Sequence, residues 1–342
     1  MGTVRLKLRD TNIELYRCVV MFLIVAHHYM MHSGLLNLTP ECLTSTKSIY
    51  LYLFGMWGKI GINCFVLITG YYMCLSNITI RKFLKLLLQV EFYKCSIFFF
   101  FVIGGSQSLS VNSILNSLLP FTDIDNGFID CFFVFYLFIP FLNCLINSIN
   151  RTKHIALIIL CLFFFCLWPQ FHIFRVNSNY VVWFCIIYFV AAFIRIHKVD
   201  EMLSYRLWGA ITFLMIIFAF FSVLLLLNYG RRWPYLLVYD CNSVFAVLIS
   251  VFSFMFFKRL PMNNNKLINA IGGTTFGILL IHDCSWNMRQ WLWVDVCNCV
   301  GWYDRNVYLH SIICVSGVFV IGAIIDYMRL CFIEKPLLNL KR

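Results

Sequence analysis

The sequence predicts an all-α integral membrane protein, a bundle of about ten transmembrane helices forming one domain over residues 1–342. Three observations carry that expectation. Of the residues, 61% are hydrophobic and only 12% charged, with a mean hydropathy of +0.83. That balance belongs to polytopic membrane proteins and excludes an ordinary water-soluble domain. Apolar runs of membrane-crossing length follow one another through short links that leave no room for a folded extramembrane domain. The basic residues behind the net charge of +12 cluster at the ends of these runs without forming a long tract. Membrane topology therefore explains them better than nucleic-acid binding.

Taken in order, the predicted spans cover residues 12–33, 49–73, 83–103, 128–148, 154–169, 179–196, 206–228, 238–257, 268–288 and 307–332. The basic start at Arg5, Lys7 and Arg9 followed by an apolar run resembles a signal peptide, but Arg17 interrupts the run and no small-residue cleavage site follows. A retained first helix is expected. Pro169 closes the short fifth span, and residues 107–121 read as an amphipathic helix lying at the surface. With the N-terminus inside, 18 Lys and Arg fall on the cytoplasmic side and 6 on the other, which predicts cytoplasmic termini. The 16 cysteines include no CxxC pair and mostly sit within apolar runs, so neither a disulfide framework nor a zinc ribbon is expected.

The first span, NIELYRCVVMFLIVAHHYMMHSG, is unusual in holding Glu14, Arg17, His27, His28 and His32. Arg17 and His28 are eleven residues apart, roughly 20° past three helical turns, so both leave one face with His28 about 16 Å further along. Glu14 shares that face. A charge deep in a transmembrane helix costs about 2.5–3.5 kcal/mol on insertion scales, so this stripe needs a bundle interior or a wet cavity. Glu14 and Arg17 also fit an interfacial ion pair, and His28 a hydrogen-bonded packing residue. His28 and His32, at i and i+4, are two ligands without an evident third, so no metal is expected.

In the second span, Lys59 and Asn63 lie one turn apart, Gly58, Gly61 and Gly70 allow close approach of a helix or a ligand, and Thr69-Gly70-Tyr71-Tyr72 ends the run. Arg81, Lys82 and Lys85 follow, positioned for topology or for the phosphates of a soluble donor. His282 beside Asp283 is a further candidate for proton transfer or a boundary pair. Asp326 and Arg329 read as a structural i, i+3 pair. No phosphate loop, GxSxG elbow or HExxH occurs.

Together these stretches resemble the membrane-bound acyltransferase 3 family. NIELYRCVVMFLIVAHH matches its signature of Arg, ten residues and His, which selects Arg17 and His28 rather than His27. GKIGINCFVLITGYYM is similar to its glycine-rich second span, with Thr69 in place of Ser. Residues 133–143, 181–195, TTFGILLIHD and IIDYMRLCFIEKPL are similar to later blocks in the same order. Asn63 stands where many members carry an acid, and Asn126-Gly127-Phe128 replaces a more aromatic stretch. Some relatives carry a further C-terminal hydrolase-like domain, which is not expected in this chain.

The resemblance implies transfer of an acyl group, most often acetyl, from acyl-coenzyme A to a hydroxyl of a surface polysaccharide or lipid-linked glycan, in a bacterial inner membrane. Acetyl-coenzyme A or another acyl-coenzyme A is then a donor substrate, with no permanently bound cofactor. Arg81, Lys82 and Lys85, with Lys59 and Asn63, are the expected donor contacts. His28 is the expected base or nucleophile, Arg17 its electrostatic partner held by Glu14, and His282 a second proton-transfer or positioning group. The rival reading is a proton-coupled transporter or glycan flippase using the same stripe, and an acyltransferase-like protein without activity is a third.

Overall fold

In a computed structural model, residues 10–38, 45–119, 127–171, 179–229, 235, 237–238 and 240–339 are described. Arg5, Lys7, Arg9, Cys42, Asn126, His172, Arg175, Arg231, Arg232, Lys341 and Arg342, which entered the charge and motif readings, lie outside them. Among the described residues all regular structure is helical.

The helix termini follow from local sequence. Helix α1 (Thr11–His32) starts after Asp10 with Glu14 in its first turn, where the helix dipole favours an acid. It ends before Gly34, whose φ of +82° suits a left-handed turn that only glycine adopts freely. Ser45 caps α2 (Thr46–Gly55), and a break at Met56 and Trp57 precedes α3 (Gly58–Met73). Thr79 and Ser110 cap α4 (Ile80–Ile103) and α5 (Val111–Leu118) by accepting from the backbone N–H three residues on. Next come α6 (Phe128–Ser148), with Pro140 inside it, and α7 (Arg151–Leu162), which runs on through wider and tighter turns to Phe171. Helices α8 (Tyr180–Ile196) and α9 (Tyr205–Asn228) are capped by Asn179 and Ser204. Helix α10 (Val244–Arg259) leads to a broken segment of α11 (Lys266–Gly272), α12 (Thr275–Asp283) and α13 (Trp286–Gln290). The chain closes with α14 (Tyr303–Arg329) and the short α15 (Lys335–Asn339).

Among the described residues, seven segments are long and apolar enough to cross a membrane: Thr11–His32, Thr46–Met73, Ile80–Ile103, Phe128–Ser148, Arg151–Gln170, Tyr205–Asn228 and Trp286–Leu337. The other three predicted spans also contain helix but are shorter or interrupted. Helix α8 has 17 residues and α10 has 16, while the expected run 268–288 is split at Gly273–Thr274 and again after Asp283. The surface helix predicted over 107–121 is α5, packed on α4 with exposed Val111 and Leu115.

Helix α1 is the hub. It packs against α2, α3, α10, α11, α12 and α14, and Tyr16, Met21, Val25, Tyr29 and Met30 are buried around it. The glycines of α3 serve helix contact. A Cβ on Gly61 would strike Ile24 and one on Gly70 would strike Ala191, while Gly58 lies against the His27 imidazole. Peripheral helices are the opposite: Phe213, Phe221 and Leu225 of α9 and Ile313, Ile321 and Ile324 of α14 are exposed, as lipid-facing side chains are.

One end of α1 is tied by Asp10, whose carboxylate accepts from Tyr72 Oη and Lys258 Nζ, each at 2.6 Å. On α14, Asp326 and Arg329 are indeed a structural pair at 2.7 Å, extended by Tyr93 and Glu334. Close packing is demanded here too: Gly277 of α12 leaves the room that Asp326 fills.

Candidate active site

The two expected charges of α1 lie in different surroundings. Arg17 pairs with Glu14 at 3.7 Å and borders a cavity of about 360 Å³ that also takes in Thr69, Tyr72, Lys82, Lys85, Gln89 and Tyr136. His28 borders a smaller chamber of about 70 Å³ with His27, Lys59, Phe65, Phe128 and Asp283. The cavities share three helices. On α3, Phe65 lines the chamber and Thr69 the basic cavity; on α6, Phe128 lines the first and Phe132 the second. The Phe128 and Phe132 rings stack with centroids 5.9 Å apart, the first lining the chamber and the second the basic cavity.

Hydrogen bonding orients the histidines. The imidazole of His282 is fully buried, with Nδ1 2.6 Å from the Ile278 carbonyl and Nε2 2.9 Å from His28 Nδ1. A carbonyl only accepts, so Nδ1 of His282 carries its proton. With both rings neutral, His282 Nε2 then accepts from His28 Nδ1, which leaves the lone pair of His28 on Nε2. That nitrogen is 3.8 Å from Asp283 Oδ2, a separation suited to attracting an imidazolium rather than to a hydrogen bond. Such an arrangement accepts a proton at Nε2 while the opposite ring nitrogen is held, or presents Nε2 as a nucleophile.

Asp283 and His282, adjacent in sequence, share no hydrogen bond. Asp283 Oδ1 forms an ion pair with Arg289 Nε at 2.7 Å and stands 3.4 Å from His32 Nε2, while Arg289 donates its hydrogen bonds to the Asp283 backbone carbonyl. The carboxylate thus gives His28 and His32 the third metal-ligand neighbour that spacing along α1 did not reveal. The ligand atoms of His28, His32 and Asp283 lie within 4.8 Å of one another. His27 is engaged elsewhere, with Nδ1 2.5 Å from the Gly55 carbonyl.

The remaining expected site residues separate into groups. Lys82 and Lys85 reach the basic cavity beside Arg17, where Lys82 Nζ donates to Ser76 Oγ at 2.9 Å and Lys85 pairs with Glu334 at 2.7 Å. Arg81 is exposed and does not line that cavity. Lys59 is at the other end of α3, on the His28 chamber, bonded to the hydroxyl of Tyr180. Asn63 is completely buried, donating to the Cys241 carbonyl at 2.6 Å and accepting from Trp183 Nε1 at 2.8 Å. Its amide ties α3 to α8 and to the link before α10, and it borders neither cavity. Sequence reasoning missed Tyr180, which meets Lys59 from 121 residues away where no local spacing encodes the contact; Arg289, six residues after Asp283, and the Phe128–Phe132 stack, one turn apart on α6, are local contacts that the sequence did not single out.

The sequence profile of the acyltransferase 3 family, described as an acyltransferase domain, matches residues 10–328. Comparison with curated proteins finds no match, and comparison with solved structures finds none.

Proposed function

Because the chain belongs to the membrane-bound acyltransferase 3 family, we propose that it moves an acetyl group from acetyl-coenzyme A to a hydroxyl of a cell-surface polysaccharide or lipid-linked glycan. The observation that carries this reading is the chain of bonds from the Ile278 carbonyl through His282 to His28, which leaves the lone pair on Nε2 of a histidine that lines the small chamber. The small volume of that chamber favours a short acyl group.

The donor's phosphates are met by Lys82, Lys85 and Arg17 at the larger cavity, while its thioester reaches past the Phe128–Phe132 stack. His28 Nε2 takes the proton of the acceptor hydroxyl as the oxygen bonds to the thioester carbon. The carbon–sulfur bond then breaks, and the leaving thiolate recovers the proton from His28. His282 holds the ring and Asp283 favours its charged form during the transfer. Lys59, on the same chamber, stabilises negative charge developing on the carbonyl oxygen. Cytoplasmic donor entry, as the charge distribution of the sequence suggests, with the acceptor at the opposite end, makes the chain a multi-pass enzyme of a bacterial inner membrane.

The test is coenzyme A release from acetyl-coenzyme A by purified protein supplied with a glycan extract of its native cell. Wild type releases the thiol and His28→Ala does not, although the variant elutes as a folded protein. Equal release by both removes His28 from the chemistry. No release from any acyl donor removes the transferase reading and favours transport.

A further inference from the structure

The geometry points to a Zn²⁺-binding site at His28, His32 and Asp283, where a borderline divalent cation closes the chamber and withholds the lone pair of His28. Zn–N distances of about 2.0–2.1 Å and Zn–O distances of about 2.0–2.2 Å set the ligand atoms of a tetrahedral site roughly 3.3–3.5 Å apart. His32 Nε2 is 3.4 Å from one oxygen of Asp283 and His28 Nε2 is 3.8 Å from the other, and the three groups converge within 4.8 Å. Small side-chain adjustments bring all three to bonding distance.

The supporting contacts are also those of a metal site. A ligating imidazole ordinarily has its other ring nitrogen held, and a ligating carboxylate is itself hydrogen-bonded. His28 Nδ1 is hydrogen-bonded to His282 at 2.9 Å; the Asp283 carboxylate is held instead by an ion pair with Arg289 at 2.7 Å, and Arg289 hydrogen-bonds the Asp283 backbone carbonyl. Two imidazoles and one carboxylate leave a fourth tetrahedral position for water. The ligand set is one that Zn²⁺ accepts and that Mg²⁺, which prefers oxygen and octahedral geometry, does not.

The cationic neighbours Arg289 and Lys59 oppose a resident metal. The site is therefore a reversible inhibitory one, since Zn²⁺ and the acceptor proton require the same nitrogen. Inhibition rests on the proposed transfer reaction, whereas binding does not.

The experiment titrates a purified parent protein and its His32→Gln and Asp283→Asn variants with Zn²⁺ against a chromogenic chelator. It also follows coenzyme A release. Because Cys314 Sγ lies 3.3 Å from His310 Nε2 and offers Zn²⁺ another soft ligand pair, all three proteins carry Cys314→Ser. The expected result is one Zn²⁺ per chain in the parent, bound at least tenfold more weakly after either substitution and not displaced by excess Mg²⁺. Zn²⁺ inhibits release by the parent, a chelator restores it, and His32→Gln keeps its activity while needing at least tenfold more Zn²⁺. Binding unchanged in both variants, or no binding by the parent, overturns the site. Binding that is lost in the variants of a protein without transferase activity upholds the site and removes only the reaction.

Discussion

Replacing His282 separates a positioning role from a packing role. The residue lines neither of the two cavities described, yet its Nε2 lies 2.9 Å from His28 Nδ1. When His28 takes a proton, that contact becomes a hydrogen bond to a charged group, of a class worth about 1.5–3 kcal/mol. At about 1.36 kcal/mol per tenfold in rate, its loss lowers kcat by roughly 10- to 150-fold. KM for the acyl donor stays within about twofold, because the basic cavity lies a helical stretch of about 16 Å away along α1. His282→Phe removes the acceptor at nearly constant volume, and also strands a buried N–H at a stability cost of about 1–3 kcal/mol. His282→Gln restores an acceptor oxygen near the lost nitrogen. Steady-state coenzyme A release, with thermal unfolding as the folding control, should give a low kcat for His282→Phe and a partial recovery for His282→Gln. Equal kcat in His282→Phe and wild type would falsify the orienting role, as would a loss in KM alone.

Three further substitutions probe the basic cavity and the packing beside the histidines. Lys82→Ala and Lys85→Ala should each raise KM for acetyl-coenzyme A about three- to tenfold with little change in kcat; both side chains are solvent-exposed, so the effect should shrink as salt is added. Initial rates against donor concentration at two ionic strengths check this. Gly58→Ala drives a methyl group into the His27 imidazole and should destabilise the protein by about 1–3 kcal/mol, seen as a lower unfolding temperature in detergent.

The all-α membrane architecture was legible because hydropathy and charge distribution are local properties that every span repeats. The order of the helices was legible too. Of the two neighbouring histidines that line the chamber, His27 is bonded to the Gly55 carbonyl, while His28 is bonded to His282 and stands beside Asp283. Spacing failed wherever chemistry depends on elements far apart in the chain. His28 and His282 are 254 residues apart, and Lys59 and Tyr180 are 121 apart. Nothing in either local sequence names the partner. Neighbouring residues on a helix differ by about 100° in direction, and of the adjacent pair His282 bonds His28 Nδ1 while Asp283 stands beside His28 Nε2, His32 and Arg289.

Asn63 shows how a motif position can be reassigned by its surroundings. An acid at this point of the second span is common in the family, which invites the expectation that Asn63→Asp would improve catalysis. The geometry argues the reverse. The amide nitrogen donates to the Cys241 carbonyl at 2.6 Å while the amide oxygen accepts from Trp183 at 2.8 Å, and the residue has no exposed surface. A carboxylate keeps the indole as donor but sets a second acceptor against the Cys241 carbonyl, and a protonated carboxyl must surrender its charge to avoid that clash. Removing one partner of a buried polar pair costs about 1–3 kcal/mol, and more when a charge remains. Asn63→Asp should therefore unfold at a lower temperature and yield less folded protein, while the folded fraction keeps the wild-type kcat. Unfolding temperature and active-site-normalised rate measure the two effects separately. A variant as stable as wild type with a higher kcat would assign the position to catalysis and overturn its reading as a tie between helices.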